Sequence, residues 1–161
     1  ALFKLYPWEQ MLRDDYAAPL PTAEVTVLEP AWKSLLSNKA ILPLLWERHA
    51  GHPNLLEAYF EGDPAENALG SSYVRKPLFS REGDNVELID RGLSAAEVVD
   101  GGYGEGRWIR QALHDPPLFD GNHVIVGSWV VGAGPAGISL REDKGRITRN
   151  TSRFVPHFIR D

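Results

Sequence analysis

The segment that most limits the fold is a glycine-rich stretch between two alternating segments. Gly132-Ala-Gly-Pro-Ala-Gly137 follows Val124–Val131 and precedes Ile138–Arg141, and both flanks show the period-two alternation of β-strands. The stretch also satisfies the G-x-G-x-x-G dinucleotide pattern, which requires a helix to begin at its glycines. The sequence instead alternates up to the next turn signal at Lys144-Gly145, which leaves no room for a βαβ crossover. We therefore predict a turn between two antiparallel strands and no dinucleotide site.

The rest of the second half, from residue 69 to residue 161, has mainly strand-like segments separated by turn residues. The predicted strands are Ser72–Lys76, Val86–Asp90, Arg107–Ala112, Val124–Val131, Ile138–Arg141 and Phe154–Ile159, with a glycine-rich connector at Gly101–Gly106. Short strands in close succession favour antiparallel pairing, because parallel neighbours need longer crossovers.

Residues 1–68 are predicted to be mainly helical and loop. Proline at first-turn positions and apolar residues on one face predict helices at Pro7–Leu12, Pro30–Leu36 and Ala40–Arg48. Leu2–Tyr6 and Val25–Leu28 are predicted as short strands, and Leu55–Phe60 as a helical turn. Helices first and strands later indicate an α+β fold, with a largely antiparallel sheet and helices packed on it.

Composition excludes several classes of function. Seventeen Lys and Arg against 22 Asp and Glu give a net charge of −5, which disfavours non-specific binding to nucleic acid or an anionic membrane. The chain contains no cysteine, which excludes disulfides, thiolate metal sites and cysteine nucleophiles and fits a cytoplasmic protein. No apolar run approaches the roughly 20 residues of a membrane span. The chain lacks an initiator methionine, so we expect a piece of a longer protein.

Histidine and serine patterns predict no metal or hydrolase site. His49 and His52 flank Gly51 and precede Pro53, so they do not share a helical face as metal ligands would. Ser128 lies in a Gly-Ser-Trp context rather than a nucleophile elbow. We assign no metal ligand within this chain.

The stretch Tyr73-Val-Arg-Lys-Pro-Leu-Phe-Ser-Arg-Glu-Gly83 has the features of a phosphate site. A lysine at a strand end precedes a polar loop in which Ser80 and backbone amides are hydrogen-bond donors. A solvated hairpin tip has the same pattern and remains open as an alternative. Lys39 and Arg141 also end apolar segments, where cationic side chains often extend out of a core. Together with Lys76, the three would supply the positive charge that phosphoryl transfer requires.

Four long motifs resemble the glutathionylspermidine synthase family. They are Glu29-Pro-Ala-Trp-Lys with Ser37-Asn-Lys-Ala-Ile-Leu-Pro-Leu-Leu-Trp46, then Tyr73–Gly83, then Ile125-Val-Gly-Ser-Trp-Val-Val131 with Leu140-Arg-Glu-Asp143, and finally Thr148-Arg-Asn-Thr-Ser-Arg-Phe-Val-Pro-His157. The resemblance covers nearly the whole chain in order. It implies an ATP-grasp-like fold, of which residues 1–161 would be the C-terminal part.

The resemblance also implies site residues. Lys39 and Lys76 match lysines that contact the ATP phosphates, and Arg141 matches a late arginine directed at them. The loop from Ser80 to Gly83 matches a lid over the triphosphate, which we expect to be poorly ordered until nucleotide binds. Gln111 matches a hinge beside adenine, where backbone groups of Ala112 and Leu113 would read the base. Lys76 and Arg141 are the expected catalytic residues.

The family's Mg²⁺ ligands and much of its acid-substrate site lie upstream of any residue in this chain. The resemblance therefore implies a fragment of a ligase that uses ATP and Mg²⁺ to join a small carboxylic acid to an amine through an acyl phosphate. One alternative is a homologue that binds or hydrolyses ATP without forming an amide. Another is a non-enzymatic module that associates with a partner.

Overall fold

The chain forms two antiparallel β-sheets with short helices at its N-terminal end. The structure is a computed structural model that describes residues 1–160, except for the side chains of residues 93–96. The strands are β1 (Leu2–Phe3), β2 (Val27–Leu28), β3 (Ala58–Phe60), β4 (Tyr73–Pro77), β5 (Glu87–Asp90), β6 (Leu93–Val98), β7 (Trp108–Ala112), β8 (Leu118–Phe119), β9 (Asn122–Val131), β10 (Gly134–Asp143) and β11 (Arg153–Val155). The α-helices are α1 (Trp8–Met11), α2 (Ser34–Ser37) and α3 (Ile41–Arg48), and 3₁₀ turns cover Asp15–Ala17, Leu20–Thr22, Ala31–Lys33 and Pro64–Leu69.

Strands β3 to β7 form a five-stranded sheet in the order β3-β7-β4-β5-β6, and every pair in it is antiparallel. Strands β8 to β11 form a second antiparallel sheet in the order β11-β10-β9-β8. The short pair β1 and β2 is parallel. The prediction of an α+β fold with largely antiparallel sheets is therefore confirmed, while the ATP-grasp fold remains a prediction.

The long hairpin of β9 and β10 confirms that the glycine-rich stretch joins two strands. The turn is shorter than predicted, because β10 already begins at Gly134 and pairs with Val131. A register shift between Pro135 and Gly137 absorbs the irregular sequence as a bulge. No helix begins at these glycines, so the backbone lacks the helical N-terminus that the dinucleotide motif requires.

Several predicted elements differ from the structure. Leu55–Phe60 was predicted as a helical turn, which is wrong: Tyr59 and Phe60 lie in β3 and pair with β7. The predicted strand Phe154–Ile159 is shorter, since β11 ends at Val155, before Pro156. The first strand covers only Leu2–Phe3 of the predicted Leu2–Tyr6. The helix predicted at Pro30–Leu36 is a 3₁₀ turn followed by α2.

The core lies on one face of the five-stranded sheet. Ile109 on β7 is fully buried, and Leu88 on β5 is 3% exposed. Val86, Leu88 and Ile147 form a buried cluster, so the segment that follows β10 packs directly on β5. Helix α3 packs against β3 at the other end of the same sheet. This arrangement leaves a cleft between the sheet, the start of α3 and the chain after β10.

Candidate functional site

The cleft has a volume of about 280 Å³ and draws its walls from four parts of the fold. The five-stranded sheet contributes Val74, Lys76 and Leu88, and Lys39 lies just before α3. The second sheet contributes Ile125. The chain after β10 contributes Arg146 and Ile147, and Gly83 and Leu113 also line the cleft.

Alternation along β4 decides which side chains enter the cleft. Val74 and Lys76 line the cleft, while Arg75 between them points to the other face of the sheet and pairs there with Glu61 at 2.6 Å. Val74 stands between Leu88 on β5 and Gln111 on β7 in the strand register. This row of the sheet thus places the apolar side chains of Val74 and Leu88 beside the buried side-chain amide of Gln111.

Lys76 is held by a single side-chain hydrogen bond. Its Nζ donates to Oε1 of Gln111 at 2.7 Å, and Gln111 itself is only 6% exposed. Burial, with a smaller contribution from the charge of Lys39, lowers the pKa of Lys76 to about 8. The lysine is thus a desolvated ammonium group with hydrogen-bonding capacity to spare.

Lys39 approaches the same cleft from the loop before α3. Its Nζ donates to the carbonyl oxygen and to Oγ of Ser80, both at 2.8 Å, and its backbone amide donates to the carbonyl of Leu78. Burial, followed by the positive charge of Arg81, lowers the pKa of Lys39, and Glu9 acts in the opposite direction. The predicted lid loop and this lysine are therefore joined in the structure.

Lys39 and Lys76 differ from most other partly buried cations in their surroundings. Across the described residues, neither lysine has a carboxylate within ion-pair distance. By contrast, Arg75 and Arg110 share Glu61, and Arg81 pairs with Glu9 at 2.8 Å. Two desolvated ammonium groups without counter-charges form a site that favours an anion.

Gly83 lies where the lid loop touches the far wall of the cleft. Its φ of +84° lies in the left-handed region, and a Cβ there would be 2.5 Å from the carbonyl oxygen of Thr148. Glycine is therefore required by protein packing, in addition to any approach to a ligand. Arg81, in the same loop, donates to Glu9 rather than pointing freely into solution.

The three hinge residues have different positions. Gln111 is buried and accepts the Lys76 hydrogen bond, and Leu113 lines the cleft. The amide of Ala112 donates to the carbonyl of Glu57 at 2.8 Å, so it is already satisfied within the sheet. Of the two backbone groups expected to read a base, Leu113 is the one beside the cavity.

Arg141 lies next to the cleft but is not among the residues that line it. It is the cross-strand neighbour of Ile125, and its Nη2 donates to the carbonyl oxygens of Arg149 at 2.5 Å and Ser152 at 3.3 Å. Its guanidinium also lies over the ring of Phe154, 5.0 Å from the centroid. Its Nε is buried without a hydrogen-bond partner, and in the described part of the chain no carboxylate pairs with it.

Sequence reasoning missed Arg146, the arginine that does line the cleft. Its Nη1 lies 3.1 Å from Asp115 and 3.4 Å from Asp90, so its charge is compensated. In the sequence it is marked only by the turn signal Lys144-Gly145 that precedes it.

The residues that the structure describes contain no group of three or more His, Asp or Glu side chains that would hold a metal ion. None of the helices described here is long and apolar enough to cross a membrane.

The cleft therefore combines a mainly apolar lining with two ammonium groups that lack an ion-pair partner among the described residues. A family model described as "Glutathionylspermidine synthase preATP-grasp" matches residues 1–160, and the chain belongs to this glutathionylspermidine synthase family. The resemblance inferred from the motifs is thereby confirmed.

Curated relatives extend the comparison beyond the family model. A Haemophilus influenzae protein named "Putative acid--amine ligase" is 43% identical over 98% of this chain. Trypanothione synthetase of Crithidia fasciculata is 39% identical over 82% of the chain, and the bifunctional glutathionylspermidine synthetase/amidase of Escherichia coli is 32% identical over 84%. The chain spans 41%, 20% and 22% of the lengths of these three relatives. The relatives are thus ligases and synthetases by name, and all are much longer than this chain.

Proposed function

We propose that this chain carries most of the nucleotide pocket of an ATP-dependent carbon–nitrogen ligase. The observation that carries the proposal is the pair Lys39 and Lys76, two desolvated ammonium groups that line one mainly apolar cleft. ATP has matching parts, since its base is flat and largely apolar and its triphosphate is strongly anionic. The names of the relatives supply the reaction class, which joins an acid to an amine.

The walls of the cleft fit the two ends of such a ligand. Val74, Leu88, Leu113 and Ile147 offer aliphatic surface for a base, and the backbone of Leu113 lies beside it. Lys39 and Lys76 would neutralise phosphate oxygens, each as a compact point charge with several N–H donors. Phosphate oxygens would take the place of Ser80 and Gln111 as acceptors, or share the ammonium groups with them.

The proposed reaction has two steps. A carboxylate oxygen of the acid attacks the γ-phosphorus, the bond to the β,γ-bridging oxygen breaks, and ADP leaves. The amine nitrogen then attacks the acyl phosphate carbon, inorganic phosphate leaves, and the nitrogen loses a proton to give an amide. Lys39, Lys76 and Arg141 would stabilise charge on the transferring phosphoryl group, which is where such catalysis gains most of its rate. The loop from Ser80 to Gly83 would exclude water that hydrolyses the acyl phosphate.

Magnesium does not fit the residues that the structure describes, because they contain no cluster of carboxylates that would hold it. We propose that the remaining part of a longer ligase supplies the metal ligands and the acid and amine sites. The lengths of the relatives support this proposal.

Trapping the intermediate tests the proposed function. A full-length protein that includes this chain is incubated with ATP, candidate acids and hydroxylamine, which converts an acyl phosphate into a hydroxamate. We expect ATP-dependent hydroxamate formation that is lost in Lys76→Ala and retained in Lys33→Ala, whose lysine forms an exposed pair with Glu29. Phosphate release without hydroxamate or amide would identify an ATP-hydrolysing homologue instead. If the protein neither binds nor turns over nucleotide, the remaining alternative is a non-enzymatic module that associates with a partner.

A further inference from the structure

The segment after β10 forms one wall of the cleft and is fastened to the five-stranded sheet by Glu97. This carboxylate, on β6, accepts hydrogen bonds from the backbone amides of Arg146 at 2.9 Å and Ile147 at 3.3 Å. Gly145 lies so close to the carboxylate of Glu97 that a Cβ on Gly145 would clash with it. Consecutive amides aimed at one anion normally mark an anion-binding turn, and here the protein supplies the anion itself.

The side chain of Arg146 adds a second fastening. Its guanidinium reaches Asp90 on β5 and Asp115 after β7, with its Nε 4.0 Å from Glu97. Three carboxylates from separate segments thus surround one guanidinium, whose planar fork suits several acceptors at once. The side chains of Arg146, Asp90 and Glu97 are partly shielded from solvent, whereas that of Asp115 is 58% exposed.

Residues 145–148, which form this wall, contact the lid loop at Gly83. Ile147 is buried against Val86 and Leu88, and the carbonyl of the next residue, Thr148, lies where a Cβ on Gly83 would be. The position of this wall therefore limits the positions that Gly83 can adopt. Gly83, Arg146, Ile147 and Thr148 all line the cleft, so a shift of this wall changes the width of the slot.

We propose that Glu97 and Arg146 are positioning residues of the nucleotide cleft, which hold residues 145–148 as the seat for the lid glycine. This role rests on the proposed nucleotide binding. Neither side chain needs to touch the nucleotide, because both act by fixing the backbone of residues 145–148. Because the loop from Ser80 to Gly83 is proposed to lie over the triphosphate, loss of the seat should weaken the binding of both ATP and an inorganic polyphosphate.

The test compares Glu97→Gln with Glu142→Gln in the 161-residue chain. Glu142 lies on β10 and pairs with Arg153, whose side chain is 69% exposed and outside the cleft, so it is a matched loss of one carboxylate charge. Calorimetric titration gives the affinity for ATP and for inorganic tripolyphosphate, and limited trypsin digestion gives the rate of cleavage after Arg81 in the lid. Thermal melting checks that both variants fold.

We expect Glu97→Gln to weaken the binding of ATP and of tripolyphosphate about tenfold, the scale of one lost hydrogen bond to a charged group. Cleavage after Arg81 should be several times faster, while Glu142→Gln stays at wild-type values. Arg146→Lys should lie between wild type and Glu97→Gln, because an ammonium keeps the charge but loses the fork.

Wild-type ATP affinity and cleavage rate in Glu97→Gln would overturn the proposal. A melting temperature of Glu97→Gln far below that of Glu142→Gln would also overturn it, because the weaker binding would then reflect general destabilisation. If the wild-type chain bound neither ligand, the proposed function would fail. The cleavage rates alone would then decide whether Glu97 holds the seat of the lid.

Discussion

The ammonium group of Lys76 lies 2.7 Å from the side-chain oxygen of Gln111, and no carboxylate in the described chain balances its charge. Burial disfavours the charged form of this side chain and lowers the pKa of Lys76 from its ordinary 10.5 to about 8. A desolvated cation without a counter-charge is expected where an anion binds.

The lowered pKa predicts how stability and binding depend on pH. Between pH 8 and 10.5 the unfolded chain retains a proton that the folded chain has lost, so the free energy of unfolding should rise with pH, by up to about 3 kcal/mol. Below pH 8 both states are protonated and this contribution is constant. Denaturant titrations across this range should show a larger rise in the wild type than in Lys76→Met, which keeps the contribution of Lys39.

Nucleotide affinity should change in the opposite direction over the same range. The ammonium loses its proton above pH 8, so ATP affinity should fall by up to about tenfold between pH 7 and pH 9. Calorimetric titration at the two pH values measures it, with Lys76→Met as the control that should show a flatter profile. A wild-type affinity that is constant up to pH 10 would show that the charge of Lys76 plays no part in binding.

Gly83→Ala should destabilise the chain by about 2 kcal/mol, because it combines a positive φ with a steric conflict. The added Cβ would lie 2.5 Å from the carbonyl oxygen of Thr148 and 2.9 Å from a methyl carbon of Ile147. Gly62→Ala is the matched control, with a similar φ of +89° but open space around it. Chemical denaturation of both variants should therefore show the larger loss at Gly83.

The loop from Phe79 to Asp84 should become more ordered when nucleotide binds. In the free chain Lys39 holds Ser80 and Glu9 holds Arg81, but few apolar contacts fix the loop, and Arg81 is half exposed. Amide hydrogen exchange in this loop should slow by about tenfold with ATP, while the turn at Pro64–Leu69, which does not line the cleft, stays unchanged. Equal exchange with and without ATP would contradict a lid role.

The 161-residue chain alone should bind nucleotide but not turn it over. Magnesium supplies much of the charge neutralisation in phosphoryl transfer, and the searched residues offer no cluster for it. ATP-dependent amide formation and phosphate release, measured on this chain and on a full-length ligase that includes it, compare the two. Comparable turnover in both would show that the active site is complete within these residues.

Much of the fold could be predicted from local patterns. The β9–β10 hairpin, strands β4, β5 and β7, and helix α3 all follow from alternation or from an apolar helical face. Strand β6 was missed because Leu93-Ser-Ala-Ala-Glu-Val98 is rich in helix formers, and only its pairing with β5 makes it a strand. Strand β3 was missed for the related reason that its pairing with β7 joins residues some 50 positions apart.

The candidate site, like the fold, could be predicted only in part from local sequence patterns. The sequence singled out Lys39, Lys76, Gly83 and Leu113, and the structure brings all four to one cleft. The hydrogen bond between Lys76 and Gln111 joins residues 35 positions apart, and Arg146 gains its place only through carboxylates on three other segments. Such contacts depend on tertiary packing, which local sequence patterns do not encode.

The most direct test of the central claim is calorimetric titration of ATP into the 161-residue chain and its Lys76→Ala variant. We expect saturable one-to-one binding to the wild type and a loss of about 1.5–3 kcal/mol of binding free energy in the variant, the scale for one hydrogen bond to a charged group. Arg81→Ala should lose less, because Arg81 is held by Glu9 rather than by the cleft. Undiminished ATP binding by Lys76→Ala, or no binding by the wild-type chain, would contradict the account.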